Sequence, residues 1–213
     1  MQEAQAENEE LKGRVAELTE ENNRLQAEQY ELERLRELYA LDQDYMQYEK
    51  VAARVIAKDS GNWFQIFRIN KGSNDGIKEN MNVIAGGGLV GIVTDVGANY
   101  ATVRSIIDDA SRVSCMSMRS GDNCIVSGDL TLFQEGLLGL DHVKKEADIQ
   151  EGDKIVTSNI SDVFLPGILV GYATELTTDS NNVTKSGQIV PVAEFDNLQE
   201  VLVITQLKDG SEE

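Results

Sequence analysis

The chain changes texture near residue 50, and that break limits the folds open to it more than any single motif does. Residues 1–49 carry 14 acidic and 5 basic residues, one glycine and no proline. The rest holds 17 of the 18 glycines, both prolines and most of the β-branched residues. The first texture predicts helix; the second predicts short strands separated by turns. Within the helical part Leu11, Leu18, Leu25 and Leu32 recur every seven residues, each three residues after Asn8, Val15, Asn22 or Gln29. Leucine at d with asparagine at a favours a parallel two-stranded coiled coil, because a buried Asn pairs with its twin and fixes register. The candidate dimerisation residues are therefore Val15, Leu18, Asn22, Leu25 and Leu32. Flanking charges are mixed: Glu7 and Lys12 attract across such a coil, whereas Glu28 and Glu33 repel. The leucines then shift to Leu32, Leu35, Leu38 and Leu41, so the seam changes before the strands begin. The competing reading is a single acidic helix that is partly disordered alone.

The second texture predicts strands at 51–57, 63–70, 82–84, 89–96, 102–107, 112–118, 124–127, 137–141, 154–158, 168–176, 188–192 and 201–206, with no useful amphipathic helix among them. That is an all-β barrel or sandwich. An internal echo sharpens it. The segment from Ile77 to Ile84 aligns with that from Ile149 to Val156, and Leu89-Val90-Gly91 then matches Leu169-Val170-Gly171. Each copy reads as turn, strand, loop and a strand hinged at glycine, where a bulge or barrel corner is expected. Two related β units in tandem follow, unless the likeness is chance similarity of two turn–strand segments.

Charge and side-chain inventory remove whole classes of function. A formal net charge of −18 argues against a nucleic-acid binder, which needs a basic face to neutralise phosphates, and disfavours docking on anionic lipid. No apolar run of about 18 residues is present to cross a membrane, and the N-terminus lacks the basic and apolar regions of a signal peptide. The single histidine, His142, excludes a multi-histidine metal site, and no Gly-x-Ser-x-Gly surrounds any serine. Gly86-Gly87-Gly88 lacks the Lys-Ser/Thr and helix start of a phosphate loop and reads as a turn. Asp108-Asp109 and Asp42-x-Asp44 lack the glycine and distal glutamate of a calcium loop and read as solvated turn and cap residues. No catalytic, cofactor-binding or metal site is expected. If a hairpin is centred on Gly121, Cys115 faces Ser127 and Cys124 faces Met118, which predicts two buried free thiols rather than a bridge.

Ordered blocks in the β part carry a family resemblance. They are Asn62-Trp63-Phe64, Asn70-Lys71-Gly72-Ser73-Asn74-Asp75-Gly76-Ile77 and Gly88-Leu89-Val90-Gly91-Ile92-Val93. The second half adds Gly152-Asp153-Lys154-Ile155-Val156-Thr157-Ser158, Phe164-Leu165-Pro166-Gly167-Ile168-Leu169-Val170-Gly171, Pro191-Val192-Ala193-Glu194-Phe195-Asp196 and Val201-Leu202-Val203-Ile204. In this order and spacing, over about 160 residues, the chain resembles the MreC family of bacterial rod shape-determining proteins. Asn80 and Asn82 stand where that family usually has Gly and Pro, and Asn159 where glycine is common; at turns Asn tolerates left-handed φ.

The resemblance implies a single-pass protein of the cell membrane whose bulk, this chain included, lies on the extracytoplasmic side. The family's membrane helix is missing from the sequence as given. It also implies a coiled-coil homodimer carrying two small β-barrels, with possible higher self-assembly. Its role would be a non-enzymatic scaffold of cell elongation that positions peptidoglycan synthases. Implied partners are the penicillin-binding transpeptidase of elongation, MreD and, indirectly, MreB and RodA.

The expected organisation is a coiled-coil helix at 1–49, a first barrel at 50–127, a second at 128–207 and a disordered tail at 208–213. Phe164 and Tyr172 are candidate partner-binding residues, with core packing as the alternative for both. Two other functions remain open. One is a two-barrel hydrolase using His142; the other is an adaptor of an envelope secretion system, against which a heptad on only one side of the β part counts.

Overall fold

The computed structural model describes residues 2–58, 65–179 and 183–208, without the side chains of residues 2–8 and 10. The Asn62-Trp63-Phe64 block and all of the expected tail except Lys208 lie outside the described residues. The chain divides into two units, Met1–Ala40 and Leu41–Glu213. The first unit belongs to one helix, α1 (Gln2–Asp44). Along it Val15, Leu18, Leu25 and Leu32 are all exposed on a single chain, and so is Asn22. Over residues 11–33 no face is packed, so this stretch gains little from burial and is marginal in water on propensity alone.

The second unit contains twelve strands among its described residues: β1 (Lys50–Lys58), β2 (Ile66–Ile69), β3 (Asn82–Ala85), β4 (Gly88–Val96), β5 (Ala101–Ser105), β6 (Arg112–Ser117), β7 (Asn123–Ser127), β8 (Leu138–Lys144), β9 (Lys154–Thr157), β10 (Leu169–Thr178), β11 (Thr184–Pro191) and β12 (Glu200–Ile204). Every expected strand is present within a few residues. Two short helical turns are added among the described residues, a 3-10 turn at Ser73–Asp75 and a one-turn helix, α2 (Leu130–Phe133), which Asp129 caps by accepting from the N–H groups of Thr131 and Leu132. Buried positions alternate along the strands, as at Val113, Cys115 and Ser117 on β6, the period of a barrel filled by its own side chains.

The strands close into two six-stranded barrels, β1-β12-β3-β4-β5-β2 and β10-β11-β8-β7-β6-β9. Read around each barrel, β3-β4-β5-β2-β1-β12 matches β9-β10-β11-β8-β7-β6. The repeat is thus β1–β6 followed by β7–β12, and the sixth strand of each repeat closes the other repeat's barrel. This corrects the expected division at 127/128: β6 and β7 both belong to the second barrel, and β12 to the first. Pattern and turn signals reveal where strands lie, whereas exchange of one strand leaves no mark on its alternation.

The echo survives at atomic detail. In β4 the pairing skips Val90, between Leu89↔Ile84 and Gly91↔Val83. In β10 it skips Val170, between Leu169↔Val156 and Gly171↔Ile155. Both skipped carbonyls are used by the next strand, Val90 O by Ile106 N–H at 2.8 Å and Val170 O by Val192 N–H at 3.0 Å. A Cβ on Gly91 or Gly171 would lie 2.2 Å from the carbonyl oxygen of Arg104 or Val190, so the bulge brings backbone to where no side chain fits. Asn80, equivalent to Gly152, has φ 68°, as expected for an Asn in a left-handed turn position.

The β6–β7 hairpin differs from expectation. Ser117 N–H donates to Asp122 O at 2.9 Å and Gly121 N–H to Ser117 O at 2.9 Å, so the loop is Met118 to Gly121. Gly121, at φ 75°, ends the turn instead of centring it. Cys115 consequently pairs with Cys124, not with Ser127. Both thiols are free and buried.

Side chains at the start of the second unit join the barrels. The Tyr45 hydroxyl donates to Gly87 O and accepts from Leu169 N–H, each at 3.1 Å. Tyr48 donates to Pro166 O at 2.7 Å. Asn82, wholly buried on β3, donates to Val163 O at 3.0 Å and accepts from Leu165 N–H at 2.8 Å. The Lys50 ammonium donates to the carbonyls of Asp42, Tyr45 and Tyr48, placing a cation where the end of α1 leaves carbonyls unpaired.

Candidate partner-binding surface

The second barrel carries a row of exposed side chains that crosses four neighbouring strands. Met118, just past β6, donates its N–H to Lys154 O on β9 at 2.8 Å. Lys154 is the register partner of Tyr172 on β10, and Tyr172 that of Val190 on β11. Directly opposed residues share a face of the sheet. The row is outward: Met118 is 67 %, Tyr172 38 % and Val190 43 % exposed. Three apolar bodies flank one ammonium, a mixture suited to a protein surface. Aromatic and methionine side chains are common at interface centres, whereas surface lysines are depleted there.

The Met118 end is held rigidly. Arg119 donates through Nε to Asp153 Oδ1 at 2.8 Å, through Nη2 to Asp153 Oδ2 at 3.0 Å and through Nη1 to Asp148 Oδ2 at 2.8 Å. It also donates to the backbone carbonyl of Asp148. Asp153 further accepts from Ser117 Oγ and from Gln150 N–H. The Arg119 guanidinium, first among these donors, holds the Asp153 carboxyl below its ordinary range against the opposing effect of burial. Arg119 likewise lowers Asp148.

Of the two residues expected on a partner surface, Tyr172 lies on this row. Phe164 does not: it is buried, with its N–H bound to Ser161 Oγ at 2.9 Å, which corrects that expectation to core packing. Met118, Lys154 and Val190 escaped the sequence reading. Their types gave no signal, because the row exists only once β6, β9, β10 and β11 are placed side by side.

The hydrolase arrangement is not assembled. Ser127 donates directly to Asp141 Oδ2, beside His142, at 2.6 Å, with no imidazole between them. His142 is exposed at φ 57°, where β8 and β11 lose register. A charge-relay geometry needs the imidazole between acid and hydroxyl. Among the described residues no group of three or more His, Cys, Asp or Glu side chains is placed to hold a metal ion, and no helix is long and apolar enough to cross a membrane.

Twin closed barrels that exchange a strand define a structural class: a tandem β-barrel protein, here with a row of exposed side chains across its second barrel. The comparisons give that class a family. The barrel core of the rod shape-determining protein MreC matches residues 55–205. The cell shape-determining protein MreC of Listeria monocytogenes is 31 % identical over 202 residues, covering 93 % of this chain and 68 % of that protein. A solved structure of MreC from the same organism superposes with TM-score 0.69 at 31 % identity, covering 97 % of each chain. A complex between penicillin-binding protein PBP2 and MreC from Helicobacter pylori contains a chain of the same fold, at TM-score 0.56 and 17 % identity, covering 74 % of this chain and 99 % of that one. This chain belongs to the MreC family. It is a cell shape-determining protein of that structural kind and not an enzyme.

Proposed function

We propose that this protein is a scaffold of the bacterial cell-elongation machinery, dimerising through α1 and presenting its second barrel to a peptidoglycan synthase. The observation that carries the reading is the outward row Met118–Lys154–Tyr172–Val190, three exposed apolar side chains around one ammonium. The partner of stated kind is the penicillin-binding transpeptidase of elongation; a complex of the Helicobacter relative with a penicillin-binding protein, PBP2, supports that choice. The exposed seam Val15, Leu18, Asn22, Leu25 and Leu32 supplies the dimer contact, and a two-stranded coil buries its leucines.

In this reading the barrels stand on the extracytoplasmic side of the cell membrane, where peptidoglycan is polymerised. MreD, and through it MreB and RodA, are reached at the membrane, and self-assembly beyond the dimer adds valency.

The test is binding of the purified chain to an immobilised elongation transpeptidase. Tyr172→Asp combined with Val190→Asp weakens binding at least about tenfold, because it places charge in a desolvated contact, and leaves the thermal midpoint unchanged. Equal affinity of the variant and the parent would remove this row from the interface.

A further inference from the structure

The two thiols of the second barrel have no part in the row or in the dimer contact, yet the fold sets them face to face. Cys115 on β6 and Cys124 on β7 are register partners. Hydrogen bonds mark the kind of pair they form. Ser117 N–H to Asp122 O at 2.9 Å lies on one side, and Gly128 N–H to Ser111 O at 3.1 Å on the other. Steps of two residues from either end reach 115 and 124, so theirs is a hydrogen-bonded pair, for which Cα atoms stand about 5.5 Å apart. A disulfide spans roughly 4.4–6.8 Å between Cα atoms. Both side chains point to the same inner face, Cys115 0 % and Cys124 3 % exposed. No other cysteine competes for either.

We propose that Cys115 and Cys124 form an intramolecular cross-strand disulfide, made while the β6–β7 hairpin is folding and then sealed inside the barrel. The oxidant is a small or protein disulfide. One cysteine thiolate attacks it, giving a mixed disulfide and releasing one thiol of the oxidant. The second cysteine thiolate then attacks the protein sulfur of that mixed disulfide and expels the second thiol. The chain loses two protons and two electrons, and the oxidant disulfide is reduced to two thiols.

Burial fixes the order of events. In the closed barrel desolvation pushes the Cys115 thiol well above its ordinary range and Cys124 up to about 12. Because thiolate is the nucleophile, the folded reduced barrel is nearly inert. The hairpin is local in sequence, whereas pairing of β6 with β9 closes a much longer loop, so the two sulfurs meet before they are covered. An oxidising compartment in the cell follows from the extracytoplasmic reading above; the facing of the thiols does not depend on it.

The experiment refolds the reduced, denatured full chain in mixtures of reduced and oxidised glutathione, then alkylates it in denaturant and weighs it intact. The expected product is a chain that takes up no alkyl group and is lighter than the reduced chain by two hydrogens. Its thermal midpoint lies above that of the reduced protein by about 5–10 °C, the effect of closing a short loop in a chain of this size. Chain already folded in the reduced state, given the same mixtures, keeps both thiols alkylatable. Cys115→Ser abolishes the bridge and leaves one sulfur that takes up label or one glutathione. Two alkyl groups on the refolded parent at every glutathione ratio, or bridges only between chains, would overturn the proposal. Rapid oxidation of the folded reduced protein would overturn the order of events. None of these outcomes bears on Tyr172 or on the transpeptidase.

Discussion

Asn80 and Asn82, separated by one residue, do different jobs. Asn80 is a small polar residue at a turn, with left-handed φ. Asn82, two residues later, looks like another such turn position and is instead a buried clamp on Val163 and Leu165. Its partners lie some eighty residues away, beyond the reach of local pattern. Asn82→Ala leaves a buried N–H and a carbonyl without their partner and lowers unfolding free energy by about 1–3 kcal/mol, measurable by urea denaturation, with no change of fold by circular dichroism. Asp153 gives a prediction in pH. Its carboxyl is held down chiefly by Arg119, so the folded pKa lies below the unfolded one. The stabilisation is present in full above the unfolded carboxylate range, near pH 4, and is lost as pH falls through the lowered folded value. Urea midpoints of the parent therefore fall steeply below about pH 4. Asp153→Asn is less stable at pH 7 and shows a shallower acid slope; parallel acid slopes for the two proteins would contradict the assignment.

At the scale of elements, periodicity was informative wherever it had one interpretation. The twelve strands follow from β-branched runs between turn residues, and the two bulges from the echo Leu-Val-Gly, since a glycine within a strand signals close backbone approach. The hairpin register was not legible in that way. Gly121 serves equally at the centre of a short turn or at the end of a four-residue one, and one choice separates Cys115 from Cys124 while the other pairs them. The heptad of α1 is equally plain in the sequence, but a seam reports what a helix would bury, and only a partner buries it. Leu18→Asp tests that. It removes two leucines from the proposed seam, worth about 3 kcal/mol or more in total, and sets a carboxylate against its twin. The dimer then weakens at least about a hundredfold, read as a fall in mass by analytical ultracentrifugation at micromolar concentration. An unchanged mass for the variant, or a monomeric parent, would dismiss α1 as the dimer contact.

For the whole molecule the reciprocal exchange of β6 and β12 has the widest physical consequence. A barrel that lends a strand cannot open alone: removing β12 leaves β1 and β3 with unpaired edges, and removing β6 does the same to β7 and β9 in the other barrel. Unpaired edges are costly because their backbone groups lose partners. The clamps of Tyr45, Tyr48 and Asn82 act in the same sense, each bonding across the join. The second unit should therefore unfold as one cooperative body despite having two cores. The cysteines, held reduced, report on it, because both are buried in the second barrel. Val203, wholly buried on β12, belongs to the first. Val203→Ala destabilises the chain by about 2 kcal/mol through lost contact and a residual cavity. If the barrels open together, that loss raises the rate at which Cys115 and Cys124 are alkylated by roughly thirtyfold under conditions where reclosing is fast. If each barrel opens independently, the substitution in one leaves the thiols of the other as protected as before. A common increase is the outcome that exchanged strands require, and it would make the pair of barrels a single rigid platform, fixing the Tyr172 row relative to both.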